Sequence, residues 1–375
     1  MSIIQARRLL GPDGLVPDGW VQVARERIRA WGTGVPPGPV DVFVRGLVAP
    51  GFVDVHAHGG GGASFGSDLK QVTTVIATHL RHGTTTMVAS LVTAGIADLS
   101  DQIAALSHLV ADGRLAGIHL EGPWLAPSHR GAHSESLLVA PSAGDADRLL
   151  DAGAGAVRMV TIAPELPGAT AAIERLVARG VVVAVGHTGA DYDTTRTAIA
   201  AGATGATHLF NAMPDVLHRS PGPALALWRD PAVWVELVAD GVHVHPGLVC
   251  HVISTKPDRV VLVTDAMSAA GAGDGDYELG GLPVEVRSGV ARLAGTTTIA
   301  GSTLTLDRAV RTAVAAGADL ETTLRAVTCH PADYLGLADA GRITDGARAD
   351  LVCLDDDLMV TGVMYRGQWA VGPPK

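Results

Sequence analysis

The chain has 375 residues, of which 47% are hydrophobic and only 4% aromatic, so a large core of aliphatic side chains is expected. This length fits one large barrel with a smaller appended unit. The net charge of −10, without any basic run, argues against nucleic acid as the main partner.

The cysteines and the first residues bear on compartment and partners. Cys250, Cys329 and Cys353 are far apart and form no Cys-x-x-Cys pair, so neither a disulfide framework nor a thiolate zinc site is indicated. The N-terminus lacks the apolar segment of a signal peptide. No uncharged apolar run reaches membrane-spanning length with suitable flanks. We therefore expect a cytoplasmic protein without a membrane partner.

Both ends of the chain consist of short predicted strands broken by turns. The N-terminal strands are expected at 3–10, 20–23 and 28–32, and the C-terminal strands at 349–355, 360–365 and 368–371. Neither end has enough residues to bury a core alone. We expect residues 1–46 and 339–375 to build one small β-sandwich domain together.

Between the two ends, apolar strands alternate with helical segments. The predicted strands are 47–55, 84–92, 115–120, 157–162, 181–185, 205–209, 234–238 and 260–264. Strands rich in Val, Ile, Leu and Ala that alternate with helices indicate a parallel sheet covered on its outer face. Eight such units predict an α/β fold, a (β/α)8 TIM barrel over residues 47–338. A small strand insertion is expected at 271–299, after the eighth barrel strand.

Polar side chains end five of the eight predicted barrel strands. His56 and His58 are two residues apart on the first strand and therefore face the same side. The third, fifth, sixth and eighth strands end in Glu121, His187, His208 and Asp265. Because active sites of such barrels lie at the C-terminal ends of the strands, the six side chains can converge. Imidazoles and carboxylates without thiols suit Zn²⁺ or a similar divalent ion.

Each of these residues alone has a plainer interpretation. His187 alone would be a hydrogen-bonded core histidine, and Glu121 or Asp265 alone a capping or salt-bridging residue. Four imidazoles and two acids buried at one barrel mouth are costly unless a cation compensates. His119 lies two residues before Glu121, and we expect it beside the metal ligands and not among them.

Longer motifs extend this pattern along the chain. They are residues 50–59 (PGFVDVHAHG), 119–124 (HLEGPW), 186–188 (GHT), 208–213 (HLFNAM) and 239–243 (ADGVH). Together with Asp265, these motifs resemble the N-acetylglucosamine-6-phosphate deacetylases of the amidohydrolase superfamily, and the resemblance covers nearly the whole chain. It implies a metal-dependent hydrolase that removes the acetyl group from a phosphorylated amino sugar in amino-sugar metabolism.

The resemblance also implies which residues hold metal. Glu121, His187 and His208 correspond to the ligands of the principal ion. Because both strand-one positions are histidine here, His56 and His58 can hold a second ion with Asp265, and Glu121 would bridge the two. One or two divalent ions per subunit are therefore expected, with Zn²⁺ as the leading candidate.

Substrate contacts and catalytic groups follow from the same resemblance. Asp265 and His133 are the implied catalytic residues, and His133 also approaches the acetamide. The other implied substrate contacts are Asn211, Ala212, His243 and Arg219. Arg219 would meet the phosphate across the interface of a homodimer, whereas by itself it would be a solvated loop charge.

Two other functions stay open from the sequence. The first is another amide hydrolase of the superfamily, acting on an N-acyl amino acid or a cyclic amide. Such enzymes usually carry a lysine near the end of strand four, and residues 157–165 contain none. The second is a non-catalytic scaffold on the same barrel, which would be expected to have lost metal ligands that this chain keeps.

Overall fold

The structure is a computed structural model that describes residues 1–374. Its strands in chain order are β1 Ser2–Gly11, β2 Gly14–Ala24, β3 Arg27–Thr33, β4 Val42–Pro50, β5 Phe52–Ala57, β6 Gly59–Gly60, β7 Ala63–Ser64, β8 Thr84–Val92, β9 Gly117–Glu121, β10 Val157–Ile162, β11 Val182–Val185, β12 Gly205–Ala206, β13 Trp234–Val238, β14 Val260–Val263, β15 Gly275–Leu279, β16 Leu282–Arg287, β17 Val290–Leu293, β18 Leu351–Leu354, β19 Val360–Tyr365 and β20 Gln368–Val371.

The α-helices lie mainly between the strands of the central sheet. They are α1 Leu69–Arg81, α2 Ile96–Ala111, α3 Ala143–Ala152, α4 Ala169–Ala178, α5 Tyr192–Ala200, α6 Gly222–Arg229, α7 Pro246–Thr255, α8 Leu306–Ala315, α9 Leu320–Arg325 and α10 Cys329–Tyr334. Within residues 1–374, no helix combines the length and the apolar character needed to cross a membrane.

Eight parallel strands form the barrel. Their order is β14-β13-β12-β11-β10-β9-β8-β5. The sheet closes where β14 meets β5, because the Asp265 backbone N–H donates to the His56 carbonyl over 2.8 Å. A parallel bridge between Ala57 and Ala266 continues this contact. The predicted (β/α)8 barrel is therefore confirmed.

The first barrel helix illustrates how the sequence supports the barrel mouth. The Asp68 side chain caps α1 by accepting the Lys70 N–H. His79 lies on the buried face of the helix, and its Nε2 donates to the Gly59 carbonyl over 2.9 Å. A Cβ atom at Gly60 would lie 2.8 Å from that nitrogen. The glycine run after His58 thus lets the backbone pass close to α1.

Both termini build one seven-stranded sheet, in the order β20-β19-β18-β4-β1-β2-β3. The pairing of β1 with β4 is parallel, and the remaining pairs are antiparallel. Ile4, Val21, Val44, Leu351 and Met364 belong to a separate hydrophobic core under this sheet. The exact domain boundaries stay a prediction, but the two termini do meet in one sheet.

The single strand predicted at 47–55 is wrong. The segment is two strands in two sheets, with β4 ending at Pro50 and β5 beginning at Phe52. Gly51 lies between them, and a Cβ atom there would lie 2.1 Å from the Thr85 Oγ1 atom. An unbroken apolar run does not reveal such a transfer, because both strands are buried.

One other segment differs from expectation. The sixth barrel strand, predicted at 205–209, ends at Ala206. The three-stranded antiparallel sheet β15–β17 lies within residues 271–299, where the sequence predicts a strand insertion.

Candidate functional site

The six predicted metal ligands lie together at the carboxyl ends of the barrel strands. His56 stands on β5, His58 follows that strand by one residue and Glu121 ends β9, while each of the other three lies two residues beyond the end of its strand. All six side chains are buried: His56, His58, Glu121, His187, His208 and Asp265. The structure therefore brings the whole predicted set to one place.

The three ligands that follow their strands have unusual backbone conformations. His187, His208 and Asp265 have φ angles of 46°, 27° and 48°. Non-glycine residues rarely adopt positive φ, and such conformations concentrate at functional sites. The backbone thus accepts strain at the three positions where it directs a ligand into the barrel mouth.

Glu121 is the centre of the cluster. Its Oε1 atom lies 3.0 Å from His208 Nε2, 3.2 Å from His187 Nε2 and 3.4 Å from His56 Nε2. Its Oε2 atom lies 3.0 Å from His58 Nε2. The Glu121 carboxylate therefore faces the pair His187 and His208 as well as the pair His56 and His58. A ligand that bridges two metal ions would have this position.

Asp265, which follows β14, is the second carboxylate of the cluster. Its Oδ1 atom lies 3.4 Å from His58 Nε2 and 3.6 Å from His56 Nε2. Burial alone would raise the pKa of Asp265, but its hydrogen bond with His58 and the charge of His56 lower that pKa to about 2. The carboxyl group is therefore ionised at neutral pH.

The histidines present their Nε2 atoms to the cluster because most Nδ1 atoms are engaged elsewhere. An Nδ1–H donated to an oxygen leaves the Nε2 lone pair for a metal. The acceptors are Glu236 Oε2, 2.9 Å from His56; the Ser90 carbonyl, 3.2 Å from His58; and the His129 carbonyl, 2.9 Å from His187. His208 differs, since its Nδ1 is buried without a hydrogen-bond partner.

The donor set fits a divalent metal ion. Ligand atoms of His56, His58, Glu121 and Asp265 all lie within 4.8 Å of one another. Burial lowers the pKa of His58, but hydrogen bonds with Asp265 and Glu121 outweigh it and raise that pKa to about 9. A metal ion can replace such imidazole protons as the partner of the same carboxylates. The cluster can therefore bind a metal.

His119 is buried next to these ligands without joining them. Its Nδ1 lies 2.9 Å from Ser90 Oγ and its Nε2 lies 2.8 Å from Thr161 Oγ1. Its ring packs edge-on against His56, with the ring centroids 4.7 Å apart. Both ring nitrogens are satisfied by hydroxyl groups, so His119 supports the site from behind, as expected.

A cavity of about 430 Å³ opens over the cluster. Four of the predicted substrate residues line it, namely His133, Asn211, Ala212 and His243. The His243 Nδ1 atom lies 2.7 Å from Asp240 Oδ2, and its Nε2 lies 4.0 Å from Asp265 Oδ2. Leu279 and Thr297 bring the strand insertion and the segment after it to the cavity wall.

Arg219 is the predicted substrate contact that does not line this cavity. It lies exposed in a tight turn, where Leu217 and Ser220 exchange backbone hydrogen bonds of 3.2 Å. It is not among the residues that line the cavity. Within one chain, Arg219 is therefore not part of the cavity lining.

Two residues near the site were missed by the sequence analysis. Glu236 is fully buried on β13 and faces His56. Its signal was present, because it is a single acid within the apolar strand Trp234–Val238. Thr93 follows β8, and its hydroxyl lies 2.9 Å from His133 Nδ1. A lone threonine after a strand carries no comparable signal.

The barrel and its buried histidine–carboxylate cluster define a class of metal-dependent hydrolases. Residues 47–370 match the model of the Amidohydrolase family, and the chain belongs to this family.

The relatives narrow the class. The structure of an N-acetyl-D-glucosamine-6-phosphate deacetylase variant from Mycobacterium smegmatis, in complex with N-acetyl-D-glucosamine-6-phosphate, is 50% identical; it covers 99% of each chain with a TM-score of 0.97. The N-acetylgalactosamine-6-phosphate deacetylase of Escherichia coli O157:H7 is 36% identical over 98% of this chain and 99% of its own. The Homo sapiens N-acetylglucosamine-6-phosphate deacetylase is 39% identical over 86% of this chain and 83% of its own length.

Proposed function

We propose that the protein hydrolyses N-acetyl-D-glucosamine 6-phosphate to D-glucosamine 6-phosphate and acetate. The observation that carries this proposal is the buried cluster around Glu121, which occurs in a chain 50% identical to the Mycobacterium smegmatis deacetylase over 99% of both lengths. The comparisons favour this amide hydrolase over one that acts on N-acyl amino acids or cyclic amides. The retained ligands also argue against a non-catalytic scaffold.

The proposed metal sites follow the family resemblance, and the geometry of the cluster supports them. Glu121, His187 and His208 would hold the principal ion, because both imidazoles approach the same carboxylate oxygen. His56 and His58 with Asp265 would hold a second ion. The absence of thiolate donors makes Zn²⁺ the first candidate. The chemistry supplied by a bound divalent ion is a polarised acetamide carbonyl and a water molecule of lowered pKa.

Asp265 would act as the general base and then as the general acid. It is ionised and lies beside the cavity floor, where it can accept the proton of the attacking water. After the tetrahedral intermediate forms, the protonated carboxyl group can pass that proton to the leaving amine. A single group thus serves both steps.

His133 would stabilise the negative charge that develops on the acetamide oxygen. Burial lowers the pKa of His133 to about 4, so its ring is neutral at neutral pH. A neutral ring donates from Nε2 only when Nδ1 is unprotonated. Thr93 would favour this tautomer, because its single hydroxyl proton would go to Nδ1 over 2.9 Å in preference to the Glu121 carbonyl at 3.3 Å. The donor is then in place before charge develops.

The remaining contacts would orient the sugar. The amide nitrogen of Asn211 donates to the carbonyls of His208 and Leu209, which leaves its Oδ1 to accept from a sugar hydroxyl. Ala212 and His243 line the same cavity. Arg219 would bind the phosphate in the site of a second copy in a homodimer, which agrees with its exposed position away from its own cavity.

N-acetyl-D-galactosamine 6-phosphate is a second candidate substrate. The specific observation is the Escherichia coli O157:H7 relative, which carries that substrate in its name and matches this chain over nearly its full length. The two sugars differ only in the configuration of one hydroxyl group. The same acetamide chemistry would therefore serve both.

The test is acetate release from four compounds by the zinc-loaded protein. These are the 6-phosphates of N-acetylglucosamine and N-acetylgalactosamine, unphosphorylated N-acetylglucosamine, and an N-acetyl amino acid. We expect the highest kcat/KM for N-acetylglucosamine 6-phosphate. Hydrolysis of the amino acid derivative without hydrolysis of either sugar phosphate would instead support the alternative hydrolase.

A further inference from the structure

The barrel interior contains a carboxylate that the mechanism above does not use. Glu236 is fully buried in the middle of β13, and the other residues of that strand are apolar. Its Oε2 atom lies 2.9 Å from the Nδ1 atom of His56, which stands on β5, 180 positions earlier in the chain.

Packing does not explain why Glu236 is there. A buried carboxylate costs free energy unless hydrogen bonds or a charge compensate for the lost water. The Oε1 atom of Glu236 and the nearby Tyr334 hydroxyl are both buried without a hydrogen-bond partner. Within residues 1–374, the hydrogen bond of 2.9 Å to His56 is therefore the closest contact that compensates the Glu236 carboxylate, while burial and the Glu236 charge raise the pKa of the neighbouring Tyr334 hydroxyl.

His56 differs in this respect from the other histidines of the cluster. The Nδ1 atoms of His58 and His187 face backbone carbonyls, which are neutral acceptors. His56 alone faces a carboxylate. A carboxylate acceptor fixes the tautomer with Nδ1–H, orients the ring and makes Nε2 a stronger metal ligand.

We propose that Glu236 is the positioning residue that makes His56 a metal ligand, so that Glu236 decides whether the second ion is retained. This inference rests on the proposed function, in which His56, His58 and Asp265 hold the second ion. It extends that function by naming a residue outside the ligand set on which the number of bound ions depends.

The experiment measures zinc per chain after equilibration with increasing concentrations of a chelator. The proteins are wild type, Glu236→Gln, which removes the charge at nearly constant size, and Glu236→Asp, which keeps the charge but withdraws it from His56. We expect both variants to bind the second ion about 10- to 100-fold more weakly. The principal ion should be released from both variants at the same chelator concentration as from wild type.

Tyr334→Phe is the matched control, because it changes the same buried region without removing the Glu236–His56 hydrogen bond. It should retain both ions as wild type does. Thermal unfolding of each metal-free protein shows whether the variant is folded. Glu236→Gln and Glu236→Asp test the retention of the second ion independently, so one folded variant is sufficient.

Equal zinc release from wild type and from every folded Glu236 variant would overturn the inference. So would a wild-type protein that holds a single ion and still releases acetate from N-acetylglucosamine 6-phosphate, although the proposed function would then stand. A wild-type protein that binds no zinc and releases no acetate would overturn the proposed function itself.

Discussion

The Nε2 atoms of His187 and His208 lie 3.0 Å apart at the barrel mouth. The Nδ1 of His187 faces a carbonyl oxygen, so its Nε2 carries a lone pair directed at the cluster. The Nε2 atoms of His56 and His58 form a second such pair at 3.2 Å. Paired imidazole nitrogens next to a shared carboxylate are the arrangement that a cation stabilises best.

Removal of metal should therefore destabilise the fold. A ligand present at about 1,000 times its Kd and bound only by the native state adds about 4 kcal/mol. We expect Tm to fall by several degrees in a chelator and to recover when Zn²⁺ is restored, as measured by calorimetry. The double variant His187→Ala/His208→Ala should show a much smaller difference between the two conditions. An equal difference in wild type and variant would contradict the assignment of the principal ion.

Asp265→Asn should remove the acid–base step while leaving the principal ion in place. Positioned acid–base groups contribute about 10²- to 10⁴-fold in rate, so kcat should fall within that range. The amide cannot accept the proton of water, although it has nearly the same size. Steady-state kinetics combined with metal analysis checks this. Wild-type turnover in the variant would exclude Asp265 as the base.

Most of this site could be predicted from the sequence because its residues occupy equivalent places. The six ligands stand at or within two residues of strand ends, and a parallel barrel brings all such ends to one face. The alternation of apolar strands and helices was enough to predict that barrel. The positions of the ligands at strand ends and the barrel topology together therefore predict that the six side chains converge.

What escaped prediction depends on side-chain direction and on contacts between distant segments. The pairing of Glu236 with His56 joins residues 180 positions apart, and no spacing rule connects them. The end of β4 at Pro50 was hidden because the strands on both sides of Gly51 are buried. The proposed role of Arg219 involves a second chain, and a contact between chains leaves no spacing pattern within one sequence.

Thr93→Val should impair catalysis through the tautomer of His133. Valine matches threonine in shape but cannot donate to Nδ1, so the neutral ring loses the hydrogen bond that keeps the proton on Nε2. Removing one oxyanion donor costs about 10²- to 10³-fold in kcat, and we expect a loss approaching that range. Thr93→Ser, which keeps the hydroxyl, should retain most of the activity. Equal kcat values for the two variants would disprove the role of Thr93.

Arg219 can be assigned to its own site or to the partner's site by mixing inactive chains. A hybrid dimer of Asp265→Asn and Arg219→Ala chains has one intact site if Arg219 acts across the interface, and none if it acts within its own chain. We expect acetate release from N-acetylglucosamine 6-phosphate to recover in purified hybrids.

The control for this experiment pairs Asp265→Asn with His133→Ala. Both residues line the same cavity of one chain, so every site of that hybrid carries one lesion. Such dimers should stay inactive. Failure of the Arg219→Ala hybrid to exceed this background would argue against the trans arrangement.

His79 should make the stability of the protein depend on pH. Burial lowers its pKa to about 4, although its hydrogen bond to the Gly59 carbonyl works in the opposite direction. Its Nε2 carries the donated proton, and its Nδ1 is buried without a partner. Protonation of Nδ1 would place a charge and an unsatisfied N–H in the core between α1 and the barrel.

The sign of the effect follows from the two pKa values. An unfolded histidine has a pKa of about 6.5, so above that pH both states are neutral and the full stability is present. As the pH falls from about 6.5 toward 4, the unfolded state binds the proton first, and about 3 kcal/mol of stability is lost. His79→Gln keeps an N–H for Gly59 but does not titrate. We therefore expect the unfolding free energy of wild type to fall relative to that of His79→Gln as the pH is lowered over this interval. The measurement is urea unfolding of the two metal-free proteins at each pH. If the difference in unfolding free energy between the two proteins does not vary with pH, His79 is not responsible for the pH dependence of stability.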